Sequence, residues 1–141
     1  MPEGVRAVIL QAIAGEKRSH AVYRAAADRA GSGPTAELFR RLANDELRHM
    51  MLLMEHFDGR AGGLSGEVTM AMPPVDERTT RALANLGMEG ILVFARGEEE
   101  ASIAELEAMI KASESAECRA VLRKLQEDER AHLKSIEREI E

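Results

Sequence analysis

The chain has 141 residues, enough for one domain with a sizeable core and short for two. Its formal net charge of -6 and pI near 5.3 argue against nucleic-acid binding, which draws its affinity from Lys and Arg set against phosphates. Only 3% of residues are aromatic and Trp is absent, while Ala, Leu, Glu, Arg and Met abound. Those residues lose least on entering a helix, so an all-α fold is expected.

Cys118 is the sole cysteine, which excludes an intramolecular disulfide or a CxxC metal knuckle and suits a reducing compartment. It is expected to be a small buried thiol. Met1-Pro2-Glu3-Gly4 lacks the basic start and continuous apolar run of a signal peptide, and no 18-residue apolar stretch occurs. A soluble, cytoplasmic protein without a membrane partner is the expectation.

From about residue 4 to 30, Ile9, Ala12, Ala26 and Ala30 recur at three- and four-residue steps and predict a first helix. Gly31-Ser32-Gly33-Pro34 ends it. A second helix is predicted over about 35–57, with Leu38, Leu42, Leu53 and Phe57 on one stripe. The glycines and prolines that follow read as a long crossover over about 58–85, within which Asp76 to Asn85 could form a short helix. Periodicity returns over about 86–112 with Leu92, Ala95, Ile103, Leu106 and Ile110, and over about 116–140 with Val121, Leu122, Leu125, Leu133 and Ile136. The expected architecture is one domain of two antiparallel helical hairpins joined by the crossover, a four-helix bundle.

Sliding the chain on itself by 83 residues superimposes the first hairpin on the second without a gap. Twelve of 55 positions are then identical, a weak score, so what matters is which positions survive. Glu16 falls on Glu99, Asp45 on Asp128, Glu46 on Glu129 and His49 on His132. Each half thus carries a Glu on its first helix and, 30 residues later, a Glu-x-x-His on its second. A spacing of three places Glu and His on one helical face, a turn apart. That face is the apolar stripe: Leu38, Leu42, Glu46, His49, Leu53 on one helix, and Val121, Leu125, Glu129, His132, Ile136 on the other.

Four carboxylates converging inside a bundle are costly unless neutralised, and two divalent ions would cancel four charges. Carboxylate oxygen and imidazole nitrogen suit iron or manganese better than a thiolate-loving metal, and zinc stays open as well. One Glu from each of two helices and Glu-x-x-His from the other two is the donor pattern of di-iron and di-manganese carboxylate bundles. The candidate metal ligands are therefore Glu16, Glu46, His49, Glu99, Glu129 and His132. Glu99 is preferred over Glu98 and Glu100 because it alone continues the stripe and keeps the 30-residue spacing.

Ala-Gly-Glu16, with Tyr23 seven residues on, and Leu42-Ala-Asn-Asp-Glu46-Leu-Arg-His49 resemble the first hairpin of the rubrerythrin branch of the ferritin-like superfamily. The resemblance spans essentially the whole chain, with the second hairpin the weaker half. It implies a ferritin-like bundle holding two iron ions, with Glu46 and Glu129 bridging them. Rubrerythrin proper has a four-cysteine rubredoxin domain for which this chain has neither the cysteines nor the room, so electrons would come from a separate donor or from Fe(II) itself. Rubrerythrins also place an extra Glu one turn from the third-helix ligand. Ala95, Arg96, Ser102 and Ile103 stand there in this chain.

Around the ligands, Asp45 and Asp128 either accept the second imidazole N–H of a ligand His on a neighbouring helix or are exposed helix carboxylates. Tyr23, two turns from Glu16, either serves the centre through its hydroxyl or is a core tyrosine. His20 is read as a core or supporting residue rather than a seventh ligand, because its repeat mate is Ile103. His56 is read as a surface residue, and Met50, Met51 and Met54 as packing a core or subunit interface. The expected function is a di-iron oxidoreductase that reacts with O2 or hydrogen peroxide, of ferroxidase or peroxidase type, working as a homodimer. The alternative is a non-catalytic iron-binding or storage module, and a third reading uses the metal for stability alone.

Overall fold

The computed structural model describes residues 3–58 and 75–141. Among them run five helices: α1 (Glu3–Ala30), α2 (Pro34–Asp58), α3 (Glu77–Ala84), α4 (Met88–Ala112) and α5 (Ala116–Ile140). The first hairpin turns where Gly31 and Gly33 adopt φ of 80° and 96°, a left-handed backbone that glycine enters without a Cβ clash. The Gly31 N–H closes α1 on the Ala27 carbonyl at 2.9 Å, and Pro34 then opens α2 at a position that needs no N–H donor.

The short helix α3 starts at Asp76, whose Oδ1 accepts from the Thr79 N–H at 2.7 Å. Its other end is held by α1, since the Arg29 guanidinium donates to the carbonyls of Leu83, Ala84 and Leu86. Gly87, extended at φ -80° and ψ -178°, delays the start of α4 to Met88, two residues beyond the expected 86. Ser115 caps α5 by accepting from the Cys118 N–H at 3.1 Å.

Two apolar clusters occupy opposite ends of the bundle. At one end Ile9 and Ile13 of α1, Met50, Leu53 and Phe57 of α2, Leu106 and Ile110 of α4, and Leu122 and Leu125 of α5 pack together. At the other end Tyr23 and Ala26 of α1, Leu38, Phe39 and Leu42 of α2, Leu83 of α3, Ile91 and Leu92 of α4, and Ile136 of α5 do so. Each fully buried Leu, Ile or Phe contributes roughly 1.5–3 kcal/mol by leaving water. The clusters pair the start of α1 with the end of α4, and the end of α2 with the start of α5. Each neighbouring pair is therefore antiparallel, with α1 against α2 and α4, and α5 against α4 and α2.

This is the all-α ferritin-like bundle. The chain leaves α2 at the first end and enters α3 at the second. Most of the predicted crossover, residues 59–74, lies outside the described residues. Among the described residues no helix is long and apolar enough to cross a membrane.

Candidate metal centre

Between the two apolar clusters lies a layer of charge. Glu16 of α1, Glu46 and His49 of α2, Glu99 of α4, and Glu129 and His132 of α5 are all buried. They reach the same depth because each sits on the inward stripe of its helix, at mid-length, where the apolar residues on either side force the face inward. On α4, rotation about the helix axis brings one of three adjacent glutamates into this layer. Glu99 is 0% exposed, Glu98 turns toward Arg18 at 3.3 Å, and Glu100 faces solvent.

The six residues fall into two groups of four. Glu16, Glu46, His49 and Glu129 bring donor atoms within 4.8 Å of one another, and so do Glu46, Glu99, Glu129 and His132. Glu46 and Glu129 are common to both. His49 Nδ1 lies 3.4 Å from Glu16 Oε2 and 3.2 Å from Glu129 Oε1. His132 Nδ1 lies 3.0 Å from Glu46 Oε1, 3.3 Å from Glu99 Oε2 and 3.5 Å from Glu129 Oε2. The two rings stack at 6.0 Å between centroids and 18° between planes, as repeat mates across the bundle.

The donor set fits a pair of divalent ions. Oε1 of Glu46, Oε1 of Glu99, both oxygens of Glu129 and Nδ1 of His132 are buried and make no hydrogen bond, although they crowd within ion-pair distance of one another. Buried polar atoms left in this state cost about 1–3 kcal/mol each. Lone pairs that converge without an aligned N–H or O–H are what a cation needs, and oxygen with imidazole nitrogen suits a first-row metal.

Outside the cluster each imidazole is held by an aspartate of the opposite helix. His49 Nε2 lies 3.0 Å from Asp128 Oδ2, and His132 Nε2 lies 3.0 Å from Asp45 Oδ2. A carboxylate on Nε2 fixes that nitrogen as the N–H and leaves Nδ1 to face the carboxylates. Arg48 pairs with Asp45, and Lys124 Nζ lies 3.3 Å from Asp128 Oδ1. A cleft of about 270 Å³, lined by Asp45, Arg48, His49, Asp128, Ala131 and His132, opens on this face between α2 and α5. On the opposite side the Tyr23 hydroxyl donates to Glu99 Oε2 at 2.8 Å, and its ring stacks on Phe39.

Burial raises Glu46 well above the usual carboxylate range, helped by Glu16 and Glu129. It raises Glu99 to about 8, the nearby His132 partly opposing. Burial alone would lower the imidazoles, but Glu129 and Glu16 raise His49 to about 10, and Glu129 and Glu99 raise His132 to about 9. Glu129 is held below its ordinary range despite its burial, because both imidazoles lie within ion-pair distance of its carboxylate. Burial and the charges of Glu99 and Glu46 push the Tyr23 hydroxyl well above 10. Without metal the centre balances its charge with protons.

The remaining singled-out residues stand apart from the cluster's donor groups. His20 is buried, and its Nδ1 sits 2.8 Å from the Ala43 carbonyl. His56, part-exposed, bonds Glu117 at 2.8 Å. Met50 and Cys118 are in the core, while Met51 lies on the surface, 43% exposed. Gln126 went unnoticed in the sequence although it is buried one turn before Glu129, where its Nε2 donates to the Ile103 carbonyl at 3.2 Å and to Glu107 Oε2 at 2.9 Å. A glutamine on an otherwise apolar face was the available signal.

No curated protein and no solved structure is a match to this chain. The rubrerythrin family model matches residues 8–140, which include all six clustered residues and both aspartates. The chain belongs to the rubrerythrin family.

Proposed function

We propose that the protein is a di-iron carboxylate oxidoreductase whose reduced centre reacts with O2 or hydrogen peroxide. The observation that carries this reading is the pair of four-residue groups sharing Glu46 and Glu129, a donor set for two adjacent ions. Family membership supports iron as the metal. When bound, two ferrous ions would supply two electrons to an oxidant and leave coordination positions for it.

The protein's own residues have separable tasks. Glu16 with His49 and Glu99 with His132 would each hold one ion, and Glu46 and Glu129 would fix the spacing between the two. Asp128 and Asp45 hold the imidazoles in the required tautomer. Tyr23 keeps Glu99 oriented and, with the apolar cluster behind it, excludes water from that side. The cleft between α2 and α5 is the route by which a small oxidant reaches the imidazole face. Electrons would come from a separate donor or from Fe(II) itself; within these 141 residues the one cysteine, Cys118, is buried and cannot by itself hold an iron–sulfur relay.

The test is to load the protein with Fe(II) anaerobically and mix it separately with O2 and with peroxide. Oxidation faster than that of free Fe(II) by either one is the expected result. Failure with both leaves iron binding without turnover. Size exclusion then separates the expected cytoplasmic homodimer from the 24-subunit particle that storage would need.

A further inference from the structure

The 83-residue repeat pairs His20 with Ile103 and Ala43 with Gln126. These four positions make the same interhelical contact in both hairpins, with the polar partner on opposite helices. In the first hairpin the side chain of α1 reaches the backbone of α2: a carbonyl only accepts, so His20 Nδ1 donates to Ala43 O at 2.8 Å. In the second the side chain of α5 reaches the backbone of α4: Gln126 Nε2 donates to Ile103 O at 3.2 Å. Neither helix carbonyl requires a side-chain donor to complete a helix.

Both bonds sit one turn from the candidate ligands of the helices they join. His20 is four residues after Glu16, and Ala43 three before Glu46. Ile103 is four after Glu99, and Gln126 three before Glu129. The apolar packing around them, rich in Ala and Leu, resists separation of the helices more than sliding along their axes. A slip of one turn, about 5.4 Å, would take Glu16 out of reach of Glu46 and His49. A directional bond to a fixed carbonyl resists that slip.

The geometry points to His20 and Gln126 as positioning residues for the metal centre, each locking the register of one hairpin so that the glutamate of its first helix meets the Glu-x-x-His of its second. This rests on the two-ion reading above. By the repeat, the first hairpin should accept the reverse arrangement, since position 43 corresponds to 126 and position 20 to 103. An open surface cleft of about 240 Å³ borders Ala43, with the exposed Arg24 in its wall. Arg24 is the repeat mate of Glu107, which accepts from Gln126 in the second hairpin. A glutamine at position 43 could therefore donate to the carbonyl of residue 20 and accept from Arg24.

The experiment titrates full-length apoprotein variants with Co(II), reading stoichiometry, affinity and the visible absorption of the bound ion, with circular dichroism as the check on folding. Wild type should bind two Co(II); failure here sinks the two-ion reading itself. His20→Ile, which copies the second hairpin, should weaken one of the two ions roughly tenfold, about the worth of one buried hydrogen bond. Gln126→Ala, which copies the first, should weaken the other. The double variant His20→Ile with Ala43→Gln should recover affinity and absorption, and His20→Gln, which keeps an N–H donor, should lie nearer wild type than His20→Ile. If both single variants bind two ions with wild-type affinity and spectra, the proposal is overturned and the two-ion reading stands. It is equally overturned if neither His20→Gln nor the double variant recovers any affinity while both remain helical.

Discussion

His49 on α2 and Asp128 on α5 meet at 3.0 Å, Nε2 to Oδ2, and their repeat mates His132 and Asp45 meet at the same distance in the opposite direction. Each helix thus supplies the imidazole for one bond and the carboxylate for the other, and the two bonds cross-link α2 to α5 on either side of the cleft. Asp128→Asn should lower affinity for one ion roughly 10- to 100-fold while leaving helix content unchanged, because an amide no longer favours the required imidazole tautomer. Asp45→Asn should do the same to the other ion. Competition against a chelator of known affinity measures both, and equal effects of each substitution on both ions would count against the one-to-one pairing.

The rotation of α4 yields a sharp test. Glu99→Ala should remove one of the two ions, whereas Glu98→Ala and Glu100→Ala should leave two, since those side chains lie toward Arg18 and toward solvent. Metal counting by emission spectrometry on protein purified from its own host decides it. Loss of an ion on Glu98→Ala or Glu100→Ala would mean that another glutamate of α4 is the ligand.

Proton balance predicts how metal affinity depends on pH. At pH 7 the metal-free centre holds protons on Glu99, raised to about 8, and on His49 and His132, raised to about 10 and 9. Binding two divalent ions should then release about three protons from these groups, a number read by calorimetry in buffers of different ionisation enthalpy. Affinity should rise with pH up to about 10.

The same shifts set the stability of the metal-free protein. Groups whose pKa is raised by folding contribute stability that is complete below their ordinary values, near 4.5 for Glu99 and 6.5 for the imidazoles, and is lost as pH rises through about 8 to 10. Glu129, lowered by folding, works in reverse and loses its contribution as pH falls. Thermal melts of the metal-free protein should therefore peak in mildly acidic buffer and fall toward pH 10. A metal-free melting temperature that climbs steadily from pH 6 to 10 would contradict this charge state.

Tyr23→Phe keeps the ring stacked on Phe39 and removes only the hydroxyl that donates to Glu99 at 2.8 Å. Denaturant unfolding of the metal-free protein should show a loss of about 1–2 kcal/mol, the cost of leaving a buried carboxyl oxygen without its donor. A stability within error of wild type would indicate that Glu99 finds another partner.

What the sequence determined by itself was local and periodic. Spacing of three between Glu46 and His49, and between Glu129 and His132, puts each pair on one face of any helix, and the 83-residue repeat places both pairs on apolar stripes. Those relations follow from 3.6 residues per turn and need no knowledge of neighbours. The tertiary structure alone decided which residues meet across helices: Asp128 with His49 and Asp45 with His132, Tyr23 with Glu99 rather than with Glu16 of its own helix, and the swapped bonds of His20 and Gln126. Such contacts depend on the axial register and rotation of two packed helices. An offset of one residue, 1.5 Å along the axis and 100° around it, would exchange every partner while leaving the hydrophobic pattern of each helix intact.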